Sequence, residues 1–439
     1  MKDLAEREGA PEPVPVASQH LPARVLPLLY FVLGHLSLAF ALGAVALDPA
    51  GVAGFFYNPR MLAVVHLVTL GWISASILGS IYVVGPLALR LPLPARRLDY
   101  VAFVLFAVGL SGMVSHFWLD RPAGMVWSAS LVALAFIWVA QRVLRGLGPA
   151  SVPREVKLPV ALAFLNILAA ASLGLVLGVN KVAPFLPVSH LDVVLAHAHL
   201  AVLGWATMMV MGAGYRMLPM ILPAAMPRGR WVYASAILLE LGTFGLVLGF
   251  LLGGRFLGLS AVVTAAGLLA FFSRLVFMLR NPRPAPAERR KPDLSVGHAL
   301  QALAYLALTL VLGFVLAFAP ASEWTLRAAM AYGAFGLLGF LAQIVVGVEG
   351  RILPLVAWLW SFADTEFKGS PPSLHRTPVR VLQVLILLAW TLGVPLLTAG
   401  LTLDRTPVLA FGSGLLCAAV VASVANLGVV LARSRAASR

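Results

Sequence analysis

Apolar stretches long enough to cross a bilayer as helices recur from residue 25 to residue 432, and nothing else in the sequence limits the fold so tightly. A helix needs about 20 residues to span ~30 Å of hydrocarbon. The predicted spans are 25–47, 60–90, 98–119, 124–146, 157–180, 191–223, 231–253, 256–280, 297–320, 325–360, 378–401 and 406–432. In lipid every backbone N–H and C=O must be satisfied within the chain, which leaves helices or a closed barrel. Glycine is frequent inside the spans and hairpin signals are missing between them, so the expectation is an all-α polytopic membrane protein of about twelve helices. With 61% hydrophobic and 11% charged residues, a water-soluble globule is excluded. Residues 1–24, polar and rich in proline, read as a cytoplasmic tail, and 25–439 as one transmembrane domain.

A net charge of +15 would ordinarily suggest nucleic acid, but its placement points to lipid. Of 32 Lys and Arg, the twelve-span topology leaves only Arg60, Arg121, Lys181, Arg255, Arg327 and Arg405 on the outer side. That asymmetry is the positive-inside pattern, so both termini are expected in the cytoplasm of a bacterial-type inner membrane. The one cysteine, Cys417, lies within the last span and excludes disulfides, thiolate clusters and covalently attached c-type haem. Any metal or haem iron must be held by histidine, methionine or carboxylate.

Three segments repeat without a gap. They are HLVTLGWISASILGSIYVVGPLALR (66–90), HLAVLGWATMMVMGAGYRMLPMILP (199–223) and AFGLLGFLAQIVVGVEGRILPLVAW (334–358). Gly71, Gly204 and Gly339 coincide; so do Trp72, Trp205 and Phe340, then Gly79, Gly212 and Gly347, then Pro86, Pro219 and Pro354. Each copy occupies the second span of a four-span block, which predicts three four-helix repeats (about 25–146, 157–280 and 297–432) with pseudo-threefold symmetry. The second, sixth and tenth spans face inward in this scheme, the glycines allowing close approach and the prolines ending or bending each helix.

His66, His116, His190, His197 and His199 lie in the outer half of the membrane or at its edge. Histidine inside a membrane is costly; it either bonds across helices as packing or serves a site, and neutral imidazole is the usual haem and copper ligand. His66 and His199 hold the same position in the first two copies, where the third has Ala334, with Tyr332 in the place of His197. Two residues apart, His197 and His199 point to nearly opposite sides of a helix. His66 and His199 could then sandwich one iron from facing helices, leaving His197 for a second site. His190 lies two turns before His197, roughly 10 Å away, and would line an approach. His35, mid-span, reads equally as core or site; His116 reads as interfacial beside Trp118; His20, His298 and His375 read as solvated on the cytoplasmic side.

The run H197-A-H199-L-A-V-L-G-W followed by G-x-x-Y-x-x-L-P resembles the tenth helix of the catalytic subunit of haem-copper oxidases. The C-type oxidases and nitric oxide reductases are the most similar, and membrane haem-copper proteins linked to nitric oxide stress (NnrS-like) share the helix number and the H-L-x-T-x-G segments. The resemblance covers most of the chain in architecture but about 25 residues in motif. It implies twelve helices in three repeats, one or two b-type haems, His66 and His199 as low-spin axial ligands, and His197 facing a reactive haem. It also implies a cytochrome or quinol electron donor and a diatomic gas, NO or O₂, that is bound or reduced; as an enzyme the chain would be an oxidoreductase. The pattern departs from the family in placing H-x-H on the sixth span, with no histidine on the tenth or seventh and no His-His pair anywhere. A complete copper centre is therefore not expected.

Glu240, mid-way along the seventh span, is the candidate proton relay, and Glu349 is expected to bond Arg216 or Arg351 and fix packing. Gln343, Asn166 and Asn180 are candidates to bridge helices or hold water. Arg121, Lys181 and Arg327, on the outer side, are candidates to pair with haem propionates. Two other function classes remain in view: a cofactor-free proton- or metal-coupled transporter or channel, and a structural subunit of a respiratory complex. The linkers at 281–296 and 361–377 are too short to be domains.

Overall fold

The computed structural model describes residues 22–284, 292–363 and 377–437. The predicted tail and linkers, with His20 and His375, lie largely outside these residues. Twelve of the helices are long and apolar enough to cross a membrane: α1 (Val25–Leu47), α2 (Pro59–Ala88), α3 (Arg97–Trp118), α4 (Pro122–Leu147), α5 (Arg154–Val182), α6 (His190–Ile221), α7 (Arg230–Leu251), α8 (Leu257–Arg280), α9 (Leu294–Phe318), α10 (Glu323–Ser361), α11 (Arg380–Thr402) and α12 (Thr406–Arg435). The predicted spans match these within a few residues, and no β-strand forms among the described residues. The outward faces are apolar, with Phe40, Phe244, Leu269, Leu388 and Phe411 all exposed, as lipid-facing side chains must be. The chain enters α1 and leaves α12 on one side, the terminal side; α2, α6 and α10 begin on the other, the far side.

Helices α2, α6 and α10, at 30, 32 and 39 residues, carry the three aligned segments. Each contains an eight-residue π-helical stretch at the same aligned positions: Leu67–Ser74, Leu200–Thr207 and Phe335–Ala342. Each stretch begins at the residue after His66, His199 or Ala334. Wider π turns re-aim the side chains around them and concentrate at functional sites. Trp205 Nε1 donates to Ser74 Oγ (3.0 Å) and Trp72 Nε1 donates to Ala342 O (3.2 Å). In both cases the tryptophan of one segment reaches the last π residue of another, so α2 contacts both α6 and α10.

The aligned glycines fall where the neighbouring helix leaves no room. A Cβ on Gly71 would lie 2.3 Å from Ser37 Cβ of α1, one on Gly204 2.8 Å from Asn166 Cγ of α5, and one on Gly339 2.6 Å from Tyr305 Cγ of α9. Each inner helix thus packs against the first helix of its own block, as small-residue contacts in membranes do. The prolines behave less uniformly. Helices α2 and α6 stop two residues after Pro86 and Pro219, whereas α10 runs on past Pro354, because a membrane helix survives a proline whose freed carbonyl finds other partners.

At the terminal end, the buried Asp99 of α3 ties three helices together. It accepts from Tyr82 Oη (3.0 Å), Trp138 Nε1 (2.8 Å) and the Arg142 guanidinium. A carboxylate so surrounded is satisfied, and breaking one partner would strand the charge.

Candidate functional site

The far-side half of the bundle holds an apolar cavity between α2, α3, α4, α5 and α6, with ≈ 230 Å³ of room for the centres of water-sized spheres. Met113, Phe136, Ile167, Leu177 and Leu341 wall it, and two imidazoles, His66 and His197, reach it. His66 Nδ1 lies 2.7 Å from Leu62 O, one turn back, and the ring stacks on Phe117 with centroids 4.8 Å apart. His197 Nδ1 lies 3.0 Å from Ala170 O of α5. A carbonyl can only accept, so each Nδ1 carries the proton and each Nε2 keeps its lone pair. This is how ligating histidines are usually oriented, by a bond from the other ring nitrogen. Gly174 makes room for the His197 ring: a Cβ there would lie 3.1 Å from Cε1.

His199 does not join this cavity. Its Nδ1 faces Leu195 O at 2.8 Å, and its ring lies against Tyr332 of α10, with Tyr332 Oη 3.4 Å from Nε2, and against Phe250 of α7. The structure thus brings His66 together with His197 around one cavity and sets His199 apart, against α10. Tyr332, beside His199, aligns with His197; the corresponding aligned positions of α10 and α2, Ala334 and Val64, are both buried and apolar.

The far-side mouth of the cavity carries Tyr57 and Lys181, with Lys181 Nζ 5.6 Å above the Tyr57 ring and 3.8 Å from Asp120. Asn180 Oδ1 accepts the Phe185 and Leu186 amides (2.9 and 3.0 Å), so its Nδ2 donates to His190 Nδ1 (3.1 Å). That leaves His190 Nε2–H to donate to Tyr57 Oη at 2.5 Å, and the phenol proton free to serve an acceptor in the mouth. Burial pushes the Tyr57 phenol above its ordinary value, so it stays a donor. His190 therefore positions the rim rather than lining the cavity. Of the three cations expected to meet an anionic group, only Lys181 is here; Arg327 pairs with Glu323 (2.7 Å) one turn away, and Arg121 does not line the cavity. Tyr57 carried no signal in the sequence, because it sits in a loop and its role comes from a contact with α6.

Asn166 and Gln343 bridge helices, as the sequence allowed: Asn166 Nδ2 donates to Glu240 (2.7 Å) and reaches Gly204 O (3.1 Å), joining α5, α6 and α7, and Gln343 of α10 donates to Gln301 of α9 (2.5 Å). Glu240 does not line the cavity. The expectations for two other residues change. Glu349 does not meet Arg216 or Arg351: Arg351 pairs with Asp293, Arg216 Nε donates to Ala88 O, and Glu349 Oε2 lies 3.5 Å from His35 Nε2. His298, expected to be solvated, is buried at 4% exposure, because α9 begins at Leu294 and packs that turn against α10. His116 packs on Gly124 at the far-side turn.

Among the described residues no three His, Cys, Asp or Glu side chains gather as a metal site. Compared with models of known protein families and with curated proteins, the sequence matches none.

Proposed function

We propose that this chain is a membrane-embedded haem b protein that holds the haem between α2 and α6, with His66 and His197 as the axial ligands. The observation that carries the reading is the pair of imidazoles. Both have Nδ1 committed to a backbone carbonyl and Nε2 left as a lone pair, and both line one apolar cavity. A donor set of two neutral nitrogens suits a six-coordinate haem iron, and the apolar walls suit a flat macrocycle. Lys181 and the Tyr57 hydroxyl stand where propionate carboxylates would need a cation and a donor.

Bound there, a haem supplies one-electron transfer, tuned by its axial ligands and its apolar surroundings. The protein's part is to hold the two rings at fixed orientation, exclude water from the walls and neutralise the carboxylates at the mouth. With both His66 and His197 holding it, a haem here would suit electron transfer more than the binding or reduction of NO or O₂. The relation to haem-copper oxidases and nitric oxide reductases rests on the H-A-H motif and the twelve-helix plan. A cytochrome or quinol would deliver the electron, in a bacterial-type inner membrane with both chain ends in the cytoplasm.

Visible spectra of detergent-purified protein, oxidised and dithionite-reduced, test this. Wild type and His199→Ala are expected to show a Soret band with sharp reduced α and β bands, and His66→Ala and His197→Ala to lose them. A colourless wild type from haem-supplied cells would sink the proposal. Loss in His199→Ala with retention in His197→Ala would restore the pairing of equal positions.

A further inference from the structure

On the terminal side a second polar centre lies in the membrane, independent of the haem reading. His35 of α1, Glu349 of α10 and His298 of α9 line one cavity with ≈ 80 Å³ of room for water centres, and each is more than nine-tenths buried. That volume, with polar groups among apolar walls, accommodates water. His35 Nδ1 lies 2.8 Å from Phe31 O and so carries the ring proton. The atoms that then face each other, His35 Nε2 and Glu349 Oε2 at 3.5 Å, are both acceptors. Two acceptors repel unless a proton sits on one of them. Without that proton Glu349 is a buried anion whose nearest arginine on its own helix, Arg351, is engaged by Asp293. Two further buried atoms in this centre have no hydrogen-bond partner, Glu349 Oε1 and His298 Nδ1. Unpaired polar atoms at this depth are costly unless water or a proton serves them.

We infer that His35 and Glu349 form a site that binds one exchangeable proton, supplied as water-borne H⁺ from the terminal side. With the proton the pair is neutral overall, as His35–Glu349–H or imidazolium–carboxylate; without it, the pair carries −1. The route is a wider vestibule, ≈ 340 Å³ on the same measure, that shares Ser295, Gly350 and Gln383 with the inner cavity. The ionic groups facing the vestibule are Arg216 of α6, Asp293 just before α9, Arg351 of α10 and Arg380 of α11. Helix α12 brings no titratable group to the inner cavity, lining it with Ser423, Asn426, Leu427 and Val430; α2 lines it with Trp72 and sets Ser76 beside Glu349. Among the described residues, His35, Glu349 and His298 are the titratable groups that line the inner cavity.

Infrared difference spectra of the purified full chain between H₂O and D₂O at neutral pH test the inference, with or without haem bound. Wild type is expected to show an isotope-shifted band of a protonated carboxyl or an imidazolium, lost in Glu349→Gln and in His35→Gln. Gln383→Leu is expected to keep the band and slow its exchange. A wild-type spectrum without such a band overturns the inference by itself, even if a variant fails to fold. A band that persists in both Glu349→Gln and His35→Gln overturns the assignment, and an unchanged exchange rate in Gln383→Leu overturns the route.

Discussion

The junction between α2 and α6 and the junction between α6 and α10 are built on the same backbone plan. In both, a π-helical stretch follows the outer residue of the motif, and an aligned glycine seats the helix against its block partner. What differs is the filling. Between α2 and α6, two imidazoles line an apolar cavity walled by methionine, leucine, isoleucine and phenylalanine. Between α6 and α10, the ring of Tyr332 lies against His199 and offers its hydroxyl to Nε2, while Phe250 covers another side of that imidazole. His199 has a hydroxyl facing its second nitrogen, whereas His66 and His197 have their Nδ1 on a backbone carbonyl and line the cavity with the rest of the ring. The contrast teaches that equal motif positions are given different surroundings by the residue across the junction.

The largest effect that could break this contrast is the spectral one, in which His66 and His197 matter and His199 does not. Next is Gly174. A Cβ there would press within 3.1 Å of His197 Cε1, and that ring is tied to Ala170 O, so it can yield only toward the cavity. Gly174→Leu is expected to weaken haem retention by roughly 10–100-fold, the usual cost of disturbing the bond that orients a ligand. Gly333→Ala, in open space beside the α6–α10 junction, is expected to leave retention unchanged. Haem transfer to apomyoglobin measures both. Equal loss in the two variants would mean that haem responds to general packing and not to the His197 ring.

Much of this was legible in the sequence, for identifiable reasons. Hydrophobic length fixes membrane helices because lipid leaves the backbone no other way to satisfy itself, so the spans were readable to within a few residues. The glycine and aromatic positions of the aligned segments were readable because close approach admits little else. Which of His197 and His199 shares a cavity with His66 was not, since the angular offset along one helix says which residues diverge but not which way the next helix is turned. Glu349 and His298 failed for a related reason. A sequence shows that a carboxylate and an arginine are neighbours along α10, but the helix turns Arg351 to Asp293 and Glu349 to His35. Tyr57 and Asp99 were invisible because their roles come wholly from contacts with other helices.

A smaller effect sharpens the same contrast through stability. Asn166 is held at Gly204 by its bonds to Gly204 O and Glu240, so it cannot swing away from an added methyl that would sit 2.8 Å from its Cγ. Gly204→Ala is expected to destabilise the protein by about 1–3 kcal/mol, as overpacking does. Thermal unfolding in detergent is the check, and an unchanged Tm would mean that α5 and α6 are less closely joined than the structure has them.

The smallest effect tests the packed junction itself. Tyr332→Phe keeps the ring against His199 and removes only the hydroxyl, whose 3.4 Å approach to Nε2 is at the long limit of a hydrogen bond. The cost should be at most about 1 kcal/mol, with no change in the visible spectrum, because a long neutral bond contributes little net stability. A changed spectrum would place His199 in electronic contact with the haem, and the two junctions would then be two halves of one site. An unchanged spectrum with a small fall in Tm leaves His199 against Tyr332 of α10, turned away from the cavity that His66 and His197 line.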